Sequence, residues 1–380
     1  MAMQVENINT EILIQCREQI GLELFEVAKK IPKIGKIEND EHKPTYKQLD
    51  TLADLYKVPR WVFISEELPL KYQFNKSVPA FRQFSDNNPE IFSDHRIRNL
   101  TAKIEQYRNL ILDLREDMHE PIEVFKSPQI TNNASPVHVS KQIRRWLDTS
   151  GNYDFSEWKL LLEQKGIFIF LTSKYKGWSH IDRECFRGFA IYHSKLPIIV
   201  INDSDSKKAQ SFTLFHELGH ILRKENSIDI WEYQNIEIEN EIEKWCDKLA
   251  GNVLMPDNEL QNITLSDDPL SDIKSIAKSF KVSPYACLVR LRQLQEISQR
   301  VYQNIEGELK KEFKQIQKKL KESKGGPARN RANEVITQYG HIYTTALFQA
   351  YHNKEIGLHK LTHLFDLKKP SHVFEMERML

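Results

Sequence analysis

Three things are scarce in this chain of 380 residues, and each scarcity narrows what it does. Cysteine is rare: Cys16, Cys185, Cys246 and Cys287 lie far apart without CxxC spacing, which leaves no disulfide framework or paired-cysteine metal site to expect. Reduced thiols in the cytoplasm fit that pattern. No apolar run approaches the roughly 20 residues of a membrane helix, and the N-terminus has no apolar signal segment, so no membrane partner is expected. Excess charge is missing too. With 54 Lys+Arg against 53 Asp+Glu the net charge is +1, which argues against strong sequence-independent affinity for nucleic acid and leaves only local patches. No internal repeat is evident. A length of 380 residues, 40% hydrophobic and 28% charged, suggests a soluble intracellular protein of two or three domains.

What is present is concentrated in Phe212-Thr213-Leu214-Phe215-His216-Glu217-Leu218-Gly219-His220. At about 100° per residue a helix sets His216 and His220 roughly 40° apart with Glu217 on the same side. Leu214, Phe215, Leu218, Ile221 and Leu222 gather opposite. One face suits a metal and the other a core. Neutral imidazoles are strong zinc ligands, and a catalytic zinc uses three protein ligands so that a fourth position stays open for water. A carboxylate beside that water, not ligating the metal, serves as general base and passes the proton to the leaving amine. His216 and His220 are therefore the first two candidate metal ligands, Glu217 the candidate catalytic residue, and zinc the expected cofactor.

A third ligand is expected from a later helix, and Glu237 to Ala250 offers one. Ile242, Trp245, Cys246, Leu249 and Val253 form its apolar stripe, with Glu243 and Asp247 four apart along one shoulder. Glu237, Glu239 and Glu241 lie nearer the helix start, where acidic side chains favour the positive end of the dipole. Glu243 is assigned as the third metal ligand. Asp247, one turn on, is assigned as the carboxylate that receives the other ring N–H of a ligating histidine.

Together these residues resemble the ImmA/IrrE family of zinc metallopeptidases. The resemblance runs from His216-Glu217-Leu218-Gly219-His220 through Glu243-x-Trp245-Cys246-Asp247-x-Leu249-Ala250 to Val253-Leu254-Met255-Pro256. Asp247 stands where the family commonly has Asn, and Leu249 where it commonly has Phe. Neither change removes a ligand, and the Glu-x-x-x-Asp arrangement is similar to that of thermolysin-like zinc enzymes. The resemblance implies a zincin domain in the cytoplasm that cuts a protein partner, often a DNA-binding repressor.

Upstream, Gly166 to Leu171 reads as a buried strand. Phe186 to Tyr192 and Leu196 to Asn202 read as a hairpin joined by His193-Ser194-Lys195. The segment Arg187-Gly188-Phe189-Ala190-Ile191-Tyr192 resembles the family's strand above the metal, which implies an edge strand to which substrate backbone adds. A plain structural strand is an equal reading at this stage. Tyr192 and His193 are open to two readings as well, stabilising the tetrahedral intermediate or filling ordinary structural roles.

Residues 8 to 66 resemble a lambda-repressor-like (XRE) helix-turn-helix module, with helices over Glu11 to Gln19, Leu22 to Lys30 and Thr45 to Tyr56. Thr45 and Gln48 form a capping-box signature after Pro44. The stretch where a recognition helix belongs, Ile31 to Asn39, is short and carries Pro32 and Gly35. Lys29, Lys33 and Lys36 are candidate phosphate contacts, and nothing there resembles a base-reading row. DNA binding and protein contacts both remain open for this module.

The remaining segments read as helical: Pro89 to Asp117, a pair over Ser271 to Phe280 and Ser283 to Leu294, a Lys-rich helix ending at Gly325-Gly326-Pro327, and a tail from Asn333. Arg290 and Arg292 read as a solvated face. His341, His352, His359 and His363 in the tail read as surface histidines, although His359 and His363 share the i, i+4 spacing. The expected fold class is α+β: a zincin-like metallopeptidase domain with a small mixed sheet, flanked by an all-α N-terminal module and C-terminal helices. Expected boundaries are 1–70 for the module, 71–125 for a helical arm, 126–262 for the peptidase, 263–300 for a small helical subdomain and 301–380 for the extension. The expected function is zinc endopeptidase acting on a regulatory protein in a stress, mobile-element or toxin-antitoxin pathway. The alternative is a DNA-binding regulator or antitoxin whose zinc domain is a sensor or scaffold.

Overall fold

The computed structural model describes the chain except residues 1–3, 20–21, 57, 70–94, 132, 174–178, 182–185, 225–226, 230–240, 262, 264 and 323–329. Glu237, Glu239, Cys185 and the expected break at Gly325-Gly326-Pro327 lie outside the described residues. The chain divides into two units, residues 1–109 and 110–380.

The first unit is helical. Helices α1 (Thr10–Gln19), α2 (Leu24–Ala28), α3 (Ile34–Glu38) and α4 (Tyr46–Tyr56) precede a 3-10 turn at Arg60–Ile64. They enclose Leu13, Ile34, Ile37, Leu52, Val62 and Phe63, all buried. Thr45 and Gln48 open α4 reciprocally, as their spacing suggested: the Thr45 N–H donates to Gln48 Oε1 at 2.8 Å and the Gln48 N–H to Thr45 Oγ1 at 3.3 Å. Glu38 at the end of α3 is buried and pairs with Arg17 at 2.7 Å. Helix α5 (His95–Asp117) begins in this unit and buries Ile97, Leu100, Ile104 and Tyr107 along its apolar stripe.

The second unit is built on a four-stranded sheet. Its elements are α6 (Pro136–Trp146), α7 (Phe155–Gln164), β1 (Phe168–Leu171), β2 (Gly188–Ile191), β3 (Ile198–Ile201), α8 (Lys207–Arg223), β4 (Ser227–Asp229) and α9 (Glu241–Leu254). Shorter helices follow: α10 (Asp257–Leu260), α11 (Pro269–Ser279) and α12 (Pro284–Gln293), then α13 (Gln299–Glu322), α14 (Arg331–His352), α15 (Leu358–Leu364) and α16 (Ser371–Glu377). Strand order is β1-β3-β2-β4, with β1 parallel to β3 and the other pairs antiparallel.

Strands β1, β2 and β3 are short uninterrupted apolar runs, buried throughout, because both faces of the sheet are covered there. Successive side chains of a strand point to opposite faces. Ile169, Leu171, Ala190, Ile199 and Ile201 enter the core shared with Leu214, Phe215 and Leu218 of α8. Phe168 and Phe170 face the other way, where Phe168 stacks on Tyr343 and Phe170 meets Tyr339 edge-on, both from α14. Gly340 breaks the helical geometry of α14 at φ 76°, and a side chain there would run into Glu163 and the Ile169 carbonyl. The tail is thus the second layer of the sheet.

The expected edge position of Arg187 to Tyr192 is corrected by β4. Gly188, Phe189 and Ala190 of β2 pair with Asp229, Ile228 and Ser227 on one side and with Ile201, Val200 and Ile199 on the other. Phe189, Ala190 and Ile191 are fully buried. The hydrogen bonds that an added substrate strand needs at Gly188 to Ala190 are already made within the chain.

Candidate metal centre

Helix α8 positions the two histidines. Ser206 caps its start by accepting from the Ala209 N–H, and Lys224 closes it in the left-handed conformation at φ 59°. Leu214, Phe215, Leu218, Ile221 and Leu222 are all buried, as the wheel required. His216 and His220 are buried as well, at 3% and 2% exposure, so their ring nitrogens need partners inside the protein.

Those partners come from α9. His216 Nδ1 lies 2.9 Å from Asp247 Oδ1, and His216 Nε2 lies 3.0 Å from Glu243 Oε2. His220 Nε2 stands 3.3 Å from His216 Nε2 and 3.4 Å from Glu243 Oε1. A carboxylate accepts only, so Asp247 selects the tautomer of His216 that carries its proton on Nδ1. The Nε2 lone pair of His216 then faces a second imidazole nitrogen and a carboxylate oxygen. His220 Nε2 and the Glu243 oxygens gather around that lone pair, and a cation among them would satisfy all three side chains. Three corners of a zinc tetrahedron, with ligand distances of about 2.0–2.2 Å, lie about 3.3–3.5 Å apart. The 3.3 Å between His216 Nε2 and His220 Nε2 matches that edge, while Glu243 approaches each ring with a different oxygen, at 3.0 and 3.4 Å, and one ligand atom from each residue lies within 4.8 Å of the others. His216, His220 and Glu243 can hold a metal ion, and they are the one such group among the described residues.

In the state where the Nε2 atoms of His216 and His220 carry protons instead, burial opposes the charge on Glu243, but hydrogen bonds from the two histidines outweigh it and hold this carboxyl below the usual carboxylate range. The side chains of Glu243 and Asp247 remain 46% and 55% exposed, so the centre is closed behind the histidines and open on the α9 side. Glu217 is fully buried and stands outside the ligand group. Its Cγ lies against β2, where a Cβ on Gly188 would come within 3.3 Å of it and within 2.5 Å of Thr213 Cγ2. Gly188 therefore allows α8 to approach the sheet at Glu217.

Two buried arginines hold the C-terminal end of α9, where helical carbonyls lack internal donors. Arg144 of α6 donates to the Val253 carbonyl at 2.6 Å and to the Ser150 and Gly151 carbonyls. Arg290 of α12 donates to the Met255 carbonyl at 3.4 Å and to Asn252 and Asp257. The solvated reading of Arg290 is thereby corrected. An arginine on a mostly apolar helix is a signal for such a clamp, but its acceptor lies 35 residues away in the chain.

The other sequence candidates are dispersed. Tyr192 and His193 are half-buried just beyond β2, and Arg187 just before it contributes its carbonyl to the Asn202 N–H at 2.8 Å. Lys29, Lys33 and Lys36 are exposed in the first unit, with Lys29 over the Phe25 ring. His359 and His363 are exposed, and His352 pairs with Glu377. No described helix is long and apolar enough to cross a membrane. No curated protein matches the chain at a significant level. Residues 163–292, which run from the end of α7 through the sheet, α8 and α9 to α12, match the family model of the IrrE N-terminal-like domain, Peptidase_M78.

Proposed function

We propose that the protein is a zinc-dependent endopeptidase whose substrate is another protein, a regulatory one in the reading drawn from family resemblance. The observation that carries this is the convergence of His216 Nε2 and His220 Nε2, 3.3 Å apart, with the Glu243 carboxylate, whose Oε2 is 3.0 Å from the first and Oε1 3.4 Å from the second, with buried Glu217 next to His216 on the same helix. Zinc bound there supplies a Lewis acid and acidifies its water toward neutral pH.

The chain's residues divide the remaining work. His216, His220 and Glu243 hold the ion, and Asp247 fixes the tautomer and ring orientation of His216. Glu217 takes the proton of the attacking water and returns it to the amine nitrogen of the broken peptide bond. The exposed side of Glu243 and Asp247 is where a polypeptide enters. The first unit serves targeting in this reading, with Lys29, Lys33 and Lys36 meeting either phosphates or an acidic protein surface.

The test compares cells that express the full chain with cells that express Glu217→Gln, by mapping new protein N-termini across the proteome. Cleavage at one or a few sites should depend on Glu217, with a loss of about 100- to 10,000-fold in the variant while zinc is retained. Identical N-termini in both cells, with zinc bound to both proteins, would sink the enzyme reading and favour a sensor or scaffold.

A further inference from the structure

The metal-centre residues occupy matching offsets on two helices. His216, Gly219 and His220 stand at i, i+3 and i+4 on α8, and Glu243, Cys246 and Asp247 stand at i, i+3 and i+4 on α9. The two middle residues meet. A Cβ on Gly219 would lie 2.8 Å from Cys246 Sγ, 3.3 Å from Cys246 Cβ and 3.4 Å from Leu249 Cδ2. Cys246 and Leu249 are fully buried, so neither side chain can turn aside into solvent.

Comfortable separation between non-bonded carbons is about 3.5–4.0 Å, so a methyl at position 219 demands that the helices part by on the order of 0.5–1 Å. The surroundings resist that movement elsewhere. Helix α8 is backed by the core beneath the sheet, and the end of α9 is clamped by Arg144 and Arg290. Parting at this contact also shifts the turn of α9 from which Glu243 and Asp247 reach His216, a turn otherwise tied down through Trp245, which donates to the Ala134 carbonyl at 2.8 Å. A zinc site tolerates errors of only about 0.2 Å in its ligand distances.

We propose that Gly219 is a positioning residue for the metal: its contact with Cys246 sets the spacing between the imidazole pair and the Glu243–Asp247 pair. The proposal rests on the metal-centre reading above. Gly251 on α9 supplies the contrast within the same helix pair, since a Cβ there would meet only Arg290 Cδ at 3.8 Å, an ordinary contact.

The experiment is a competition titration of zinc against a chromophoric chelator, on the full chain, with the thermal transition of each zinc-stripped variant measured alongside. Gly219→Ala should weaken zinc about tenfold or more, in the range seen when support around metal ligands is lost. Gly251→Ala should bind like the original chain. Adding Cys246→Ala to Gly219→Ala removes the sulfur from the contact and should recover most of the affinity, which a general loss of stability would not do. Wild-type affinity in a folded Gly219→Ala protein, or no recovery in the folded double variant, overturns the proposal while leaving the metal centre intact. Should Gly219→Ala not fold, Cys246→Leu presses on the same contact from α9, and unchanged zinc affinity there overturns it equally. A wild-type chain that binds no zinc removes the metal-centre reading itself, and this proposal with it.

Discussion

Two histidine pairs in this chain share one spacing and differ in everything else. His216 and His220 lie on α8, and His359 and His363 lie on α15, each pair at i, i+4. The first pair is buried, with a carboxylate from a neighbouring helix in hydrogen-bond range of both rings. The second is exposed on a seven-residue helix, outside any metal-holding group among the described residues. Spacing puts two rings on one face. Burial, and an acid delivered by a second helix held in place at its far end, turns that face into a site.

Deleting each pair in turn and counting zinc separates the two most strongly. His216→Ala with His220→Ala should take the protein from about one zinc per chain to none by elemental analysis. His359→Ala with His363→Ala should leave about one. Zinc that follows the α15 pair would reverse the assignment.

A smaller effect separates ligand from support. Asp247→Ala keeps all three ligand atoms but releases the Nδ1 proton of His216, and zinc affinity should fall about 10- to 100-fold in a chelator competition. Affinity equal to the original would mean that the 2.9 Å contact does not orient the ring. The smallest effect is expected in the first unit, where Lys29, Lys33 and Lys36 are exposed at suggestive spacing, as the α15 histidines are. Lys33→Glu should lower binding to all duplexes alike, by less than about tenfold and more at low salt, or change nothing where no binding exists. A single sequence motif emerging from random duplexes, and lost on Lys33→Glu, would contradict that and favour base readout.

That His216, His220 and Glu243 come together was legible because the information is local. His216, Glu217 and His220 share one helical face, Glu243 and Asp247 share another, and a 3.6-residue period is enough to place each set. The pairing of the two faces needed only that α8 and α9 be neighbours. The edge of the sheet was not legible: β4 is three residues, Ser227-Ile228-Asp229, too short and too polar to carry a strand signal, so β2 read as the outermost strand. Nor could the sequence show Arg144 reaching the Val253 carbonyl, or Tyr339 and Tyr343 covering Phe168 and Phe170. Those contacts join residues more than 100 apart, where no local period connects them. Gly219 is an intermediate case. Its place between the ligands was visible, but its role depends on Cys246 arriving opposite it.

One zinc held by two imidazoles and one carboxylate has its own signature in the zinc K-edge absorption spectrum of the purified full chain. The expected spectrum shows a shell of nitrogen and oxygen at about 2.0–2.2 Å, with outer-shell scattering from two imidazoles and no sulfur ligand. In His216→Ala with His220→Ala the signal should vanish. A sulfur ligand at about 2.3 Å, or the same two-imidazole pattern surviving in that double variant, would contradict it.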